Sequence, residues 1–126
     1  MARTVLVLDD NVVVRKVVRE VSRREGYSVH EARNYEEALA LCESLGGEQI
    51  DALVVDHGLP HASGRALAEQ IVKSCPDLKV LVISGWPFHM VQAQGGVLPG
   101  ASFLAKPFSA ATLAAAVNDM FSARLQ

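Results

Sequence analysis

Thr4-Val5-Leu6-Val7-Leu8-Asp9-Asp10 is a near-continuous apolar run closed by two acids. A strand that is apolar on both faces is covered on both faces, which is the mark of a parallel sheet sandwiched by helices. The pattern returns along the chain. Ala52-Leu53-Val54-Val55 ends at Asp56, Val80-Leu81-Val82-Ile83 ends at Ser84, and Phe103-Leu104-Ala105 ends at Lys106. In an open parallel sheet, ligands bind at the carboxyl edge of the strands. Asp9, Asp10, Asp56, Ser84 and Lys106 are therefore expected to meet in one small pocket.

Helix-like segments fill the intervals. Asn11 is suited to cap a helix running to about Glu25, with Gly26 as its stop. Val14, Val17, Val18 and Val21 would be its buried stripe. Residues 27–32 alternate as an edge strand does. Asn34 is placed to cap a second helix, with Glu37 three residues on as in a capping box. Its apolar face would be Ala38, Leu41 and Leu45, and Gly46-Gly47 would stop it. After the loop Gly58-Leu59-Pro60, a third helix begins at Ser63 or Gly64, runs to Ser74, and is closed by Pro76. Only a short helix fits between Phe88 and Gln94, because Pro87, Gly95-Gly96 and Pro99-Gly100 crowd it. Ser109 would cap a last helix with Leu113, Ala116, Val117 and Met120 inward. The (βα)5 order with right-handed crossovers gives an α/β doubly wound sheet with helices on both faces, a single domain over residues 1–126.

Composition fits that reading. A chain of 126 residues, half apolar and 21% charged, is large enough for one buried core and is not of disordered type. A net charge of -2 gives no reason to expect nucleic acid. No apolar run nears the roughly 20 residues that cross a bilayer. Only Thr4 to Leu8 separate Arg3 from Asp9, which is not a signal-peptide pattern. Cys42 and Cys75 stand alone, without a Cys or His at ligand spacing. They read as reduced structural thiols, which suits a cytoplasmic setting.

Carboxylates crowded together need a cation. Mg²⁺ takes oxygen ligands in octahedral geometry, keeps several waters and uses one or two carboxylates. Mn²⁺ would serve as well. Asp10 and Asp56 would be the direct ligands, with Asp9 acting through a metal-bound water. With the charge neutralised, Asp56 becomes a usable nucleophile toward phosphorus. Phosphoryl transfer asks for alignment and charge stabilisation, which Lys106 and Ser84 would supply at the phosphoryl oxygens. Each residue alone has a plain reading: a helix cap or solvated loop acid, a surface lysine before Pro107, a turn at Ser84-Gly85. Their joint placement at four strand ends favours the chemical one.

These residues carry a resemblance to a family. Val5-Leu6-Val7-Leu8-Asp9-Asp10, Asp56 with Leu59-Pro60 and Gly64, Ser84-Gly85, and Phe103-Leu104-Ala105-Lys106-Pro107-Phe108 together resemble the receiver domain of two-component response regulators. The likeness covers nearly the whole chain. It implies a flavodoxin-like fold with strand order 2-1-3-4-5. It implies Asp56 as phosphoacceptor, and Asp10, Asp56 and the backbone carbonyl of Gly58 as Mg²⁺ ligands, with Asp9 through water. Ser84 and Phe103 would be the switch pair, and Lys106-Pro107 a cis peptide. The implied partner is a histidine kinase or histidine phosphotransfer protein. Gly96-Val97-Leu98-Pro99-Gly100 before Phe103-Leu104 is similar to receivers attached to hybrid histidine kinases. A stand-alone regulator is equally compatible.

The chain departs from the family pattern in three places. The fourth helix region is short, Gly58 stands where a longer side chain often touches the phosphoryl site, and Trp86 stands two residues after Ser84. Arg15, Arg19 and Arg23 recur every four residues and make one basic stripe on the first helix. The plain reading is a solvated face. The functional one is partner docking through Val13, Arg15 and Arg19. His57 is expected to point away from the pocket, since successive strand side chains alternate. His30, His61 and His89 show no paired metal spacing, and Trp86-Pro87-Phe88 reads as local packing. An aspartate-nucleophile hydrolase of the haloacid dehalogenase type would want a second acid where Gly58 stands. Flavin binding would want a hydroxyl- and glycine-rich loop where Asp9-Asp10-Asn11 stands. A phosphorylation-independent interaction domain would have no need of the intact acid, Ser and Lys set.

Overall fold

The computed structural model describes residues 3–46, 50–57, 64–75, 77–93 and 101–122. Among the described residues, strands and helices alternate: β1 (Thr4–Leu8), α1 (Val12–Arg24), β2 (Ser28–Ala32), α2 (Tyr35–Leu45), β3 (Ala52–Asp56), α3 (Gly64–Ser74), β4 (Lys79–Ser84), α4 (Phe88–Ala93), β5 (Ser102–Ala105) and α5 (Ala110–Ser122). The five strands form one parallel sheet in the order β2-β1-β3-β4-β5. This is the expected order.

Alternation along the buried strands divides the core in two. Leu6, Leu8, Leu53, Val55 and Val82 face Tyr35, Ala38 and Cys42 of α2 and Ile71 of α3. Val5, Val7, Val54, Leu81 and Ile83 face Val18 and Val21 of α1 and Leu113, Val117 and Met120 of α5. Leu53 at the centre is fully buried. Truncating such a leucine to alanine costs about 2–5 kcal/mol, the lost transfer energy plus the cavity left behind.

The caps act as the sequence suggests, with one difference. Asn11 Oδ1 accepts the N–H groups of Val13 and Val14 at 2.9 and 3.2 Å, opening α1 directly behind the acids. Gly26 follows α1 at φ +94°, a conformation that costs glycine nothing. Asn34 accepts the N–H of Glu37 at 2.8 Å. Glu37 does not close the capping box, because its carboxylate takes the N–H and guanidinium of the preceding Arg33 instead. Ser109 Oγ accepts the N–H of Thr112 at the start of α5.

The buried stripe of α1 also differs from expectation. Val17 is 40% exposed, and Ser22 is buried in its stead beside Val18 and Val21. At about 3.6 residues per turn the buried face is as wide as the arc the four valines span but is turned roughly 40° toward Ser22. Ala116 is only partly buried and Phe121 completes the inner face of α5. The short fourth helix is present as expected. Gly47, Gly58 to Ser63, Pro76 and Gln94 to Gly100 fall outside the described residues, so the loop glycines and the third helix's serine cap and proline stop are not placed.

Candidate metal and phosphoryl site

The ladder registers bring the strand ends level. Leu8 pairs with Val55 and with Ala32, Asp56 with Ile83, and Ser84 with Ala105. The residues just beyond Leu8 and Ala105, and those at the ends of β3 and β4, therefore share one edge. This edge is the topological switch point, since the chain leaves β1 toward β2 on one side and reaches β3 on the other.

Three carboxylates meet there. One oxygen each from Asp9, Asp10 and Asp56 lies within 4.8 Å of the others. Asp9 and Asp56 are buried, and Asp10 is exposed at the mouth. Burial raises the Asp9 carboxyl above its ordinary value of 3.8, the N–H of Asn11 draws it back, and the charge of Asp56 adds to the rise. Lys106 Nζ stands 3.3 Å from Asp56 Oδ1. The Lys106-Pro107 peptide is cis, as the resemblance implies, and Lys106 N–H donates to Ser84 O at 2.7 Å. Ser84 is buried, and its hydroxyl accepts the N–H of Trp86 at 2.9 Å, so its own proton is free to be donated. An all-oxygen, multiply acidic set of this kind fits a hard divalent cation such as Mg²⁺.

Phe103 is half-buried on β5 and packs edge-on against Phe88, with ring centroids 5.2 Å apart. Trp86 is exposed next to Ser84. The N–H of His57 donates to Ile83 O at 2.8 Å, continuing the β3–β4 ladder past Asp56. Gly58, the expected carbonyl ligand, lies outside the described residues, as does His61.

Of the expected basic stripe on α1, Arg23 is exposed, whereas Arg15 and Arg19 are held in ion pairs. Arg15 Nη1 donates to the carbonyl of Asp9 at 2.8 Å, and its Nε lies 3.4 Å from Glu31. Arg19 Nη1 holds the other Glu31 oxygen at 2.8 Å. Beside its charged residues Lys16, Glu20, Arg23 and Arg24, α1 also exposes apolar ones: Val12 and Val13 are each 65% exposed.

Sequence reasoning missed three relationships. The Glu31 contacts join residues remote in sequence, and only the β1–β2 pairing brings them together. Tyr35, at the start of α2, has its hydroxyl pKa raised by burial and then by the charge of Asp56, which sets it near the site. Cys42 and Cys75 are free, both buried, and their thiols are hydrogen-bond partners between α2 and the end of α3. Their separation in sequence carried no sign of this.

This is a parallel doubly wound sheet whose switch point carries a lysine and a cluster of acids able to hold a metal ion. A family model for the response regulator receiver domain matches residues 5–118. The chain therefore belongs to the receiver domains of two-component signalling. Sensor kinase CckA of Brucella abortus is 36% identical over 117 residues, covering 93% of this chain and 12% of that protein. The chain thus spans about an eighth of that relative's length. The crystal structure of the receiver domain from hybrid histidine kinase CckA is 32% identical, with a TM-score of 0.76, covering 93% of this chain and 97% of that one. A response regulator from Burkholderia pseudomallei, solved with a phosphorylated aspartic acid, calcium ion and citrate, is 31% identical, with a TM-score of 0.72, covering 98% of this chain and 71% of that one. No helix among the described residues is long and apolar enough to cross a membrane.

Proposed function

We propose that this receiver accepts a phosphoryl group on Asp56 from a phosphohistidine of a histidine kinase or histidine phosphotransfer protein, in a Mg²⁺-dependent step of a two-component phosphorelay. The observation that carries the proposal is the Asp56 carboxylate, buried, 3.3 Å from Lys106 and within one cluster with Asp9 and Asp10. The phosphorylated aspartic acid and calcium ion of the Burkholderia relative support it.

Asp10 and Asp56, with the carbonyl of Gly58, would hold the ion, and Asp9 would hold one of its waters. Once bound, Mg²⁺ (or Mn²⁺) neutralises the carboxylates and the phosphoryl oxygens. A carboxylate oxygen of Asp56 attacks phosphorus as the bond from phosphorus to the donor imidazole nitrogen breaks. Lys106 leaves its ion pair with Asp56 for a phosphoryl oxygen. Ser84 donates its hydroxyl proton to another, and Phe103 turns inward behind it. The new charge at Asp56 thereby biases two conformations. The chain would catalyse only its own phosphorylation and dephosphorylation. A reducing, cytoplasmic setting suits its two thiols.

Partner docking falls to the exposed valines of α1 rather than to its arginines. Arg15 and Arg19 are engaged by Glu31, whereas Val12 and Val13 lie open beside the site. Val13→Asp should slow transfer from the phosphohistidine partner and spare phosphorylation by a small donor. Equal loss in both assays would remove α1 as the docking face.

Trp86 fluorescence tests the site itself. Mg²⁺ followed by beryllofluoride, a phosphoryl mimic, should change the emission of Trp86 in the wild type and leave Asp56→Asn unchanged. The same response in both proteins would contradict phosphoryl binding at Asp56.

A further inference from the structure

Asp9 is pinned at three atoms. Its N–H donates to Ala32 O at 3.1 Å, extending the β1–β2 ladder. Its Oδ1 accepts the N–H of Asn11 at 2.8 Å. Its carbonyl accepts Arg15 Nη1 at 2.8 Å. The first continues the sheet ladder, and the second is a side-chain bond to the backbone two residues on. The third reaches back from α1, and Arg15 is itself held. Its side chain is 12% exposed, and Glu31 on β2 grips its Nε while Arg19 grips Glu31. A chain of contacts thus runs from the edge strand through Glu31 and Arg15 to the peptide joining the two acids.

We propose that Arg15 is a positioning residue for the divalent-cation site, with Glu31 as the group that orients it. The inference rests on reading Asp9, Asp10 and Asp56 as that site. Peptide planarity makes the carbonyl of Asp9 and the nitrogen of Asp10 one rigid unit. Fixing that oxygen fixes the plane from which the exposed Asp10 carboxylate projects. A ligand already held in place loses less freedom when the ion binds. Asp10 has no burial to hold it, so the constraint must come through its backbone.

Electrostatics alone predicts the opposite sign. A guanidinium beside a cation site repels the cation, and removing it should tighten binding. Positioning predicts that removing it weakens binding. The direction of the change therefore separates the two.

The test is Mg²⁺ titration of the whole chain by calorimetry, with no phosphoryl donor, and urea unfolding in EDTA alongside. Arg15→Met should weaken Mg²⁺ binding about tenfold, the usual cost of losing a group that orients a metal ligand. Glu31→Gln should weaken it in the same direction and by less. Tyr27→Phe, which removes the hydroxyl bonded to Asn118 at the far side of α1, should lower the urea midpoint and leave Mg²⁺ affinity unchanged. Unchanged or tighter binding in Arg15→Met would overturn the proposal, as would equal weakening in Tyr27→Phe. Should Arg15→Met not fold, Arg15→Lys carries the test. Lysine keeps the charge but lacks the fork that serves Asp9 and Glu31 together, so wild-type affinity there would overturn it too. Absence of Mg²⁺ binding in the wild type would instead reject the cation-site reading, and this proposal with it.

Discussion

Lys106 Nζ lies 3.3 Å from Asp56 Oδ1, an ion pair between two strands that are not neighbours. β4 runs between β3 and β5, so the pair bridges the end of β4, where Ser84 sits. The lysine occupies the position of a resident counterion for the acidic cluster.

Replacing that counterion separates its two roles. Lys106→Met should lower stability in EDTA by about 1 kcal/mol, the upper range for a pair with one partly exposed member. It should also tighten Mg²⁺ binding, because the ammonium no longer competes for Asp56. Urea unfolding in EDTA and Mg²⁺ titration check both. Phosphoryl uptake should fall even as Mg²⁺ binding improves.

Asp9 imposes a pH dependence on the metal-free protein. Its folded pKa is raised above the ordinary 3.8, first by burial. The folded state therefore holds this proton more tightly than the unfolded one, and stability falls as pH rises from the ordinary value through the raised one. Asp9→Asn should flatten that slope and stabilise the apo protein at neutral pH. Saturating Mg²⁺ should flatten it in the wild type as well. A rise in wild-type apo stability attributable to Asp9 over the same acid range would contradict the assignment.

The inward turn proposed for the Phe103 ring would break its edge-on contact with Phe88. Such pairs contribute about 0.5–1.5 kcal/mol beyond area burial. Phe88→Ala should then raise apparent affinity for beryllofluoride with Mg²⁺ by about fivefold, since each 1.4 kcal/mol is about tenfold. Trp86 fluorescence reads the change.

Burial pushes the Cys42 thiol up to about 12, with Cys75 adding to the rise, and burial raises Cys75 as well. The thiolate is the reactive form. Native protein at pH 8 should therefore be modified by a thiol reagent only at its rate of opening, and both thiols should react at once in urea. Rapid labelling of the native chain would contradict the burial of the pair.

The strands and the acid cluster were legible because each signal is local. An apolar run closed by a polar residue needs no partner to be read, and the parallel registers then bring Asp9, Asp56, Ser84 and Lys106 to one edge. Asn11 and Asn34 announced their helices for the same reason. Most of the failures were relations between elements. The buried face of α1 is turned from Val17 toward Ser22, because a period does not say which side of the helix the sheet covers. Glu37 looked like a capping-box partner until Arg33 competed for it. The basic stripe is broken at Arg15 and Arg19 because Glu31, on β2, claims both. The Cys42 and Cys75 pair exists only through the packing of α2 with the end of α3.

The most direct measurement is intact mass after incubation with acetyl phosphate, in Mg²⁺ and in EDTA, for the wild type and Asp56→Asn. A mass gain of one phosphoryl group is expected in the wild type with Mg²⁺, lost in EDTA and lost in Asp56→Asn. An equal gain in Asp56→Asn, or none in the wild type with Mg²⁺, would contradict Asp56 as the phosphoacceptor.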